Sequence, residues 1–140
     1  MVRLPRRTIP LLARDIMSSP PVTVDEKTPL REVAKIMCEK KIGSVLVVGV
    51  DGKLRGIVTE RDITCAARHE EDVCQLPVWQ FMTESPISVY ETTPISEVLE
   101  KFSEIGVRHL PVVDRDMKPV GVISIRDVLA VVELLFRAFK

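Results

Sequence analysis

The 140-residue chain carries 20 basic and 20 acidic residues, and hydrophobic residues make up 46% of it. This balance provides no broad positive field for nucleic acid or anionic lipid, and the hydrophobic content excludes a disordered chain. The longest apolar runs are shorter than the roughly 20 residues that cross a bilayer, and the N-terminus shows no secretory signal pattern. An odd number of cysteines, 3 in all, indicates reduced thiols, so we expect a compact cytoplasmic protein.

The first predicted element is a short extended segment, PPVTV, which is rich in β-branched residues. Thr28 is predicted to cap a helix whose first position is Pro29. Apolar residues then recur at i, i+3, i+4 and i+7, as on an amphipathic helix: Leu30, Val33, Ala34 and Met37. Two strands follow, SVLVVGV and LRGIVT, joined through the turn-forming Asp51-Gly52, and a helix closes the copy.

The remaining elements repeat the first set. Moving the sequence by 65 residues aligns residues 17–63 with 82–128 without a gap, and 16 of these 47 positions are identical. The second copy has Thr93-Pro94 before a helix with its own apolar stripe: Ile95, Val98, Leu99 and Phe102. Its strands are SPISV, HLPVVD and PVGVIS. The sequence therefore predicts an α+β fold with the order β-α-β-β-α, twice.

Each copy has about 60 residues, a size at which a single core is marginal. We therefore expect the two copies to pack face to face with pseudo-twofold symmetry as one folded unit. The predicted organisation is an N-terminal segment at residues 1–10, a first repeat at 11–75 and a second at 76–140.

Three pairs of motifs resemble the CBS domain family, named after cystathionine β-synthase, in which a tandem pair is called a Bateman module. They are DIMSSPPVTV with QFMTESPISV, KIGSVLVV with GVRHLPVVD, and GIVTERDI with GVISIRDV. The resemblance covers about Leu11 to Leu129. It implies AMP, ADP, ATP or S-adenosylmethionine as a regulatory ligand in two clefts between the repeats, with no cofactor required.

The resemblance also implies roles for single residues. Asp62 and Asp127 would bind ribose hydroxyls, with Thr59 and Ser124 facing ribose or phosphate. Adenine would lie against the first strand of a repeat, and basic side chains of the opposite repeat would meet the phosphate. The implied ligand-binding residues are Pro21, Val22, Thr23, Thr59, Arg61, Asp62, Pro86, Ile87, Ser88, Arg108, His109, Ser124, Arg126 and Asp127.

The two Thr/Ser-x-x-Asp motifs also match a second pattern. A carboxylate can bridge two vicinal hydroxyls, and a helix N-terminus attracts anions, which suits a nucleotide. The same spacing is that of a capping box, in which the acid at the third helical position bonds back to the cap residue. The two interpretations are compatible.

Arg108 and His109 make the repeats unequal, because the corresponding residues of the first repeat are the small Gly43 and Ser44. Cross-repeat packing would direct Arg108 and His109 toward the cleft of Asp62. There the planar guanidinium of Arg108 would suit a phosphate. The alternative is a solvated arginine and a structural histidine. On the first hypothesis, the cleft of Asp62 is the stronger phosphate site.

Metal and catalytic sites are weaker hypotheses. Cys65 and His69 are predicted to be i, i+4 neighbours on a helix, with Cys74 and Asp72 nearby, but a fourth ligand is not evident, so we predict no metal. The sequence has only 2 histidines, no nucleophile–base pair, no P-loop and no GxGxxG motif. We therefore predict that the chain is not an enzyme.

The last predicted helix is apolar on more than one side, with Leu135, Phe136 and Phe139 among its residues. A helix that is hydrophobic nearly all round is usually buried, but a single copy of the chain has little left to cover this one. We therefore expect the helix to pack against a second subunit in a homodimer. The predicted function is a nucleotide-binding regulatory and energy-sensing module that acts in trans on a partner. The alternative is a structural or protein-interaction module whose clefts stay empty.

Overall fold

The computed structural model describes residues 11–138. Its elements in chain order are α1 (Ala13–Ile16), β1 (Thr23–Asp25), α2 (Leu30–Lys40), β2 (Ser44–Val48), β3 (Leu54–Thr59), α3 (Glu60–Ala66), a short 3₁₀ helix (Val78–Gln80), β4 (Thr83–Glu84), β5 (Val89–Tyr90), α4 (Ile95–Ile105), β6 (His109–Val113), β7 (Pro119–Ser124) and α5 (Ile125–Ala138). The predicted β-α-β-β-α order is present in both repeats, so the fold class is confirmed. Phe139 lies outside the described residues.

The first strand of each repeat is shorter than predicted. β1 begins at Thr23, and β5 begins at Val89. Proline has no N–H to donate to a ladder, so the Pro20-Pro21 and Pro86 positions do not extend these strands. The residues before each strand instead form an extended connection.

The predicted threonine caps are wrong by one residue. Pro29 and Pro94 are themselves the N-caps of α2 and α4, in extended conformation, and neither cap uses a side chain. The hydroxyl of Thr93 accepts a hydrogen bond from Tyr90 N–H at 3.0 Å. A threonine hydroxyl can bond to a preceding turn as well as to a helix, and here it holds the turn before the helix.

Two sheets carry the same pairing pattern. One has the order β1-β2-β3-β4 and the other β5-β6-β7, with β1 parallel to β2 and β5 parallel to β6. In the antiparallel pairs, Ser44 lies opposite Thr59, and His109 lies opposite Ser124. Since these positions differ by 65 in sequence, the register repeats the sequence duplication.

The segments that lead into the repeats are exchanged between the two halves. Ala13 of α1 is buried in the core of the second repeat with Val98, Phe102 and Ile123. Val78 is buried in the core of the first repeat, which also contains residues of α2, β2 and β3. β4 accordingly pairs with β3 of the first repeat.

Apolar side chains join the two halves. Leu46, Leu54 and Ile57 of the first repeat form a buried cluster with Val113 of the second. A backbone hydrogen bond from Leu54 N–H to Met117 O, 2.9 Å long, connects the same faces. The halves therefore share an interior, as a pseudo-twofold pair requires.

One apolar helix position differs from expectation, and the last helix is largely uncovered. Leu99 was placed on the buried stripe of α4, yet it is 42% exposed, while Val98 and Phe102 of that helix are buried. α5 has no buried residue in the described chain, and Leu129, Leu134 and Phe136 are exposed. A helix able to cross a bilayer is absent from residues 11–138.

Candidate functional site

The first Thr-x-x-Asp motif lies where β3 becomes α3. Thr59 is the last strand residue and the N-cap of α3. Oδ2 of Asp62 accepts hydrogen bonds from Thr59 N–H at 2.9 Å and from Thr59 Oγ1 at 3.2 Å. Among residues 11–138, no donor bonds to Oδ1, so one carboxylate oxygen of the half-buried Asp62 has no protein partner there.

The second motif repeats this geometry between β7 and α5. Oδ2 of Asp127 accepts hydrogen bonds from Ser124 N–H at 2.7 Å and from Ser124 Oγ at 3.0 Å. Asp127 N–H bonds to Ser124 Oγ at 3.2 Å, which completes a capping box. Oδ1 again accepts no bond from the described part of the chain. Capping thus occupies one oxygen of each aspartate and leaves the second oxygen for another donor.

The segment containing Pro21 and Val22 runs from one repeat to the other. Ser18 N–H donates to Val122 O at 2.9 Å, beside the end of β7. Four residues later, Leu46 N–H of β2 donates to Val22 O at 3.1 Å. The stretch of chain that the resemblance assigns to adenine therefore begins along the strand that ends at Ser124.

The equivalent segment, with Pro86, Ile87 and Ser88, runs in the opposite sense. Ser85 N–H donates to Arg55 O of β3 at 2.9 Å, and Val89 pairs with Val112 of β6. Each extended segment thus begins beside the Thr/Ser-x-x-Asp strand of the other repeat. Sequence reasoning missed this exchange, because the 65-residue repeat does not show which copy a leading segment packs against.

His109 crosses the boundary between the repeats. A Cβ added to Gly43 would lie 2.9 Å from His109 Cε1 and 3.1 Å from Nε2. The same Cβ would lie 3.4 Å from Glu60 Oε1. The imidazole therefore occupies the space left by the missing side chain just before β2, so a side chain at residue 43 would require His109 to move.

The charges around His109 oppose one another. Burial lowers the pKa of His109, the carboxylates of Glu60 and Asp127 act to raise it, and the guanidinium of Arg108 acts to lower it. Since burial is the largest cause, the imidazole favours its neutral form near neutral pH. Glu60 and His109 do not form an ion pair in the described structure.

The predicted basic residues Arg61, Arg108 and Arg126 are exposed. No ion pair in residues 11–138 involves any of them. They can therefore reach an anion without first breaking such a pair.

The cysteine and histidine positions do not form a metal-binding group. α3 ends at Ala66, so Cys65 and His69 are not on one helix as the i, i+4 spacing supposed. Within residues 11–138, no group of three or more histidine, cysteine or acidic residues could hold a metal ion.

Two surface cavities lie away from the two Thr/Ser-x-x-Asp motifs. One, of about 400 Å³, is lined by residues including Glu26, Arg55 and Trp79. The other, of about 500 Å³, is lined by residues including Arg14 and Tyr90. None of the predicted ligand-binding residues lines either cavity, so the candidate site is defined by the two aspartate motifs.

The family model for the CBS domain matches this chain twice, at residues 13–69 and 78–134. The chain belongs to the CBS domain family. One CBS relative is the L-aspartate semialdehyde sulfurtransferase of Methanocaldococcus jannaschii, 32% identical over 84% of this chain and 22% of the enzyme. Another is an uncharacterized 17.7 kDa protein of Acidianus ambivalens, 36% identical over 74% of this chain and 62% of that protein. The chain therefore spans less than two thirds of either relative.

Solved CBS domain structures have the same fold. The CBS domain pair of protein MJ0100, in complex with 5′-methylthioadenosine and S-adenosylmethionine, has a TM-score of 0.80 and 31% identity, covering 93% of this chain and 98% of that one. The CBS domain protein PAE2072 from Pyrobaculum aerophilum, complexed with AMP, has a TM-score of 0.77 and 31% identity, covering 84% of this chain and 89% of that one.

Proposed function

We propose that residues 11–75 and 76–140 act together as one Bateman module that binds an adenosine-containing ligand without turning it over. The observation that carries this proposal is the half-used carboxylate at each of two equivalent places. Asp62 and Asp127 each have Oδ1 without a hydrogen-bond donor from residues 11–138. An ionised carboxylate oxygen in a half-buried position favours a donor, and a ribose hydroxyl supplies one.

The neighbouring elements support the same ligand class. The extended segments at Pro21–Thr23 and Pro86–Ser88 offer backbone groups and apolar side chains to a flat purine. Arg61, Arg108 and Arg126 are exposed cations that suit a phosphate. Ribose, adenine and phosphate contacts would therefore come from different elements around each motif.

The ligands of the two similar structures also support adenosine as the common group. Protein MJ0100 holds 5′-methylthioadenosine and S-adenosylmethionine, and PAE2072 holds AMP. These ligands share the adenosine moiety and differ at the 5′ end. We propose AMP, ADP, ATP or S-adenosylmethionine as the regulatory ligand of this chain. Contacts to the 5′ group would determine which of these ligands binds.

The module acts in the cytoplasm as a homodimer and transmits its occupancy in trans to a regulated protein. The exposed apolar residues of α5 support a subunit interface. The reduced state expected for 3 cysteines supports the cytoplasm.

Calorimetric titration with adenosine, AMP, ADP, ATP and S-adenosylmethionine tests the proposal. We expect binding of at least one ligand, and a ligand at 100 times its Kd should add about 2.7 kcal/mol to the free energy of unfolding. The double variant Asp62→Ala, Asp127→Ala should lose that stabilisation, whereas the control Asp72→Ala, in the loop after α3, should keep it. Absence of heat with every ligand would overturn the proposal, and nucleotide hydrolysis by clean protein would overturn its non-catalytic part.

A structural or protein-interaction module is the second candidate, favoured by the hydrogen bonds to Oδ2 of each aspartate. If the motifs serve only as helix caps, the Asp62→Ala and Asp127→Ala variants will lose stability in a ligand-free buffer and no adenosine compound will stabilise the parent protein.

A further inference from the structure

One of the two surface cavities lies at the start of β3, whereas the Thr59 motif lies at the end of that strand. The volume of this cavity is about 400 Å³, and Leu54 and Met82 contribute apolar walls. Trp79, the only tryptophan of the chain, lines the same cavity and is 52% exposed. Ligand pockets occupy roughly 300–1,000 Å³, so the space accommodates a long side chain of another molecule.

The backbone on either side of Trp79 is anchored. Trp79 N–H donates to Glu26 O at 3.2 Å, just after β1. The preceding residue, Val78, is fully buried in the core of the first repeat. An exposed ring on an anchored segment loses little conformational freedom when a partner covers it, which favours binding.

The charged residues of the cavity leave a negative excess. Arg55 Nε lies 3.6 Å from Glu26 Oε1, and Arg55 Nη2 lies 3.2 Å from Asp51 Oδ2, so two carboxylates already compensate this guanidinium. Glu84 lines the same cavity, is exposed, and forms no ion pair within residues 11–138. The cavity therefore presents an uncompensated carboxylate together with an exposed indole ring.

We propose that this cavity is a docking site for an arginine side chain of a partner protein, which stacks on Trp79 and pairs with Glu84. A cation over the face of an indole is attracted by the ring quadrupole. The planar guanidinium also stacks on the ring and can offer two N–H groups to one carboxylate, which a lysine ammonium does not match. Tryptophan and arginine are both enriched where protein surfaces meet. This inference goes beyond the proposed function and does not depend on a nucleotide at either aspartate motif.

The second repeat carries a different surface at the equivalent place. Arg14 is the counterpart of Trp79, and its N–H donates to Glu91 O at 3.0 Å, as that of Trp79 does to Glu26. Arg14 and Arg115, both exposed, line the second cavity. These cations would repel an arginine side chain, so the proposed site belongs to the first of the two cavities.

A nuclear magnetic resonance titration tests the proposal, because Trp79 gives the single indole N–H signal of the chain. The probe is the peptide acetyl-Gly-Arg-Gly-amide, and the control ligand is the same peptide with citrulline, which keeps the shape and lacks the charge. We expect a saturable shift of the indole signal with the arginine peptide. Binding of the citrulline peptide should be roughly fivefold weaker, since it loses both the cation–π contact and the ion pair.

Glu84→Gln should weaken binding of the arginine peptide about twofold to fivefold and leave that of the citrulline peptide unchanged, since one exposed charge is removed. Trp79→Leu, followed through the backbone N–H signal of Ser85, should lose most of the binding. The control Glu91→Gln, at the second cavity, should bind both peptides as the parent protein does.

Three results would overturn the inference: an indole signal that does not saturate with the arginine peptide, equal affinities of the parent protein for the two peptides, or an unchanged affinity in Glu84→Gln. Each of them would leave the proposed nucleotide binding untouched, because that is measured with different ligands.

Discussion

Ala13 and Val78 occupy equivalent positions, 65 residues apart, and each is buried in the core of the repeat to which it does not belong in sequence. Both are 0% exposed. Ala13 packs with the second repeat and Val78 with the first. Each half therefore needs a residue from the other half's leading segment to complete its interior.

Val78→Ala should reduce the free energy of unfolding by about 2 kcal/mol, through lost burial and the cavity left in the first core. Urea unfolding, followed by circular dichroism and by Trp79 fluorescence, measures the change. The control is Val50→Ala, because Val50 is fully exposed in the turn after β2. Equal effects of the two variants would contradict the exchanged packing.

Asp62→Ala should remove most of the AMP affinity, and Asp127→Ala should reduce that affinity by a smaller factor. The hypothesis assigns Arg108 and His109 to the first cleft, whereas the corresponding residues for the second cleft are the small Gly43 and Ser44. Calorimetry on both variants, with thermal melts to check folding, compares them directly. The hypothesis of unequal clefts fails if the two losses are the same.

Arg108→Ala should weaken AMP binding and leave adenosine binding nearly unchanged, because adenosine has no phosphate. A hydrogen bond to a charged group contributes roughly 1.5–3 kcal/mol where water is excluded, and less at an exposed side chain such as this one. Arg115→Ala, an exposed arginine in the loop after β6, is the matched control. An Arg108→Ala protein with unchanged AMP affinity would refute the assignment.

Stability should fall as the pH drops below about 6.5, the ordinary pKa of histidine. Burial lowers the pKa of His109 in the folded protein, so the unfolded chain binds this proton first. The contribution of neutral His109 to the free energy of unfolding is fully present above about pH 6.5. It is lost as the pH falls from about 6.5 through the lowered pKa that His109 has in the folded protein. Urea titrations across this pH range measure how steeply the free energy of unfolding changes with pH. This pH dependence should be weaker in His109→Gln than in the parent protein and unchanged in His69→Gln. The same pH dependence in both variants would count against the argument.

Deleting the residues after Val131 should lower the mass measured by light scattering, because it removes most of the exposed apolar surface of α5. Phe136→Glu, at a side chain that is 74% exposed, should act in the same direction. Val50→Glu serves as the control for adding a charge. A parent protein that is already monomeric at tens of micromolar would end the dimer proposal.

The duplicated pattern was sufficient to predict the fold class, because hydrophobic periodicity and turn residues act locally. The same local signals misplaced the caps at Thr28 and Thr93, since a threonine hydroxyl has several backbone partners within reach. Leu99 shows a different limit: its helical phase matches the buried stripe, but packing within residues 11–138 leaves it 42% exposed.

The candidate site was predicted as a set of residues but not as an arrangement. The cap geometry of Asp62 followed from its spacing to Thr59. The position of His109 over Gly43 did not, because it depends on how the two repeats pack. Glu60 was overlooked, although its replacement by Ile125 in the second copy was visible in the 65-residue comparison.

The exchange of leading segments also has a consequence for folding during synthesis. The first repeat is complete once Val78 and β4 leave the ribosome, and its core can then close. Ala13 was made much earlier, yet its packing site needs Ile123, which is 110 residues further along the chain. The earliest helix must therefore stay unburied until nearly the whole protein has emerged, so the second core closes last, through contacts between residues far apart in sequence.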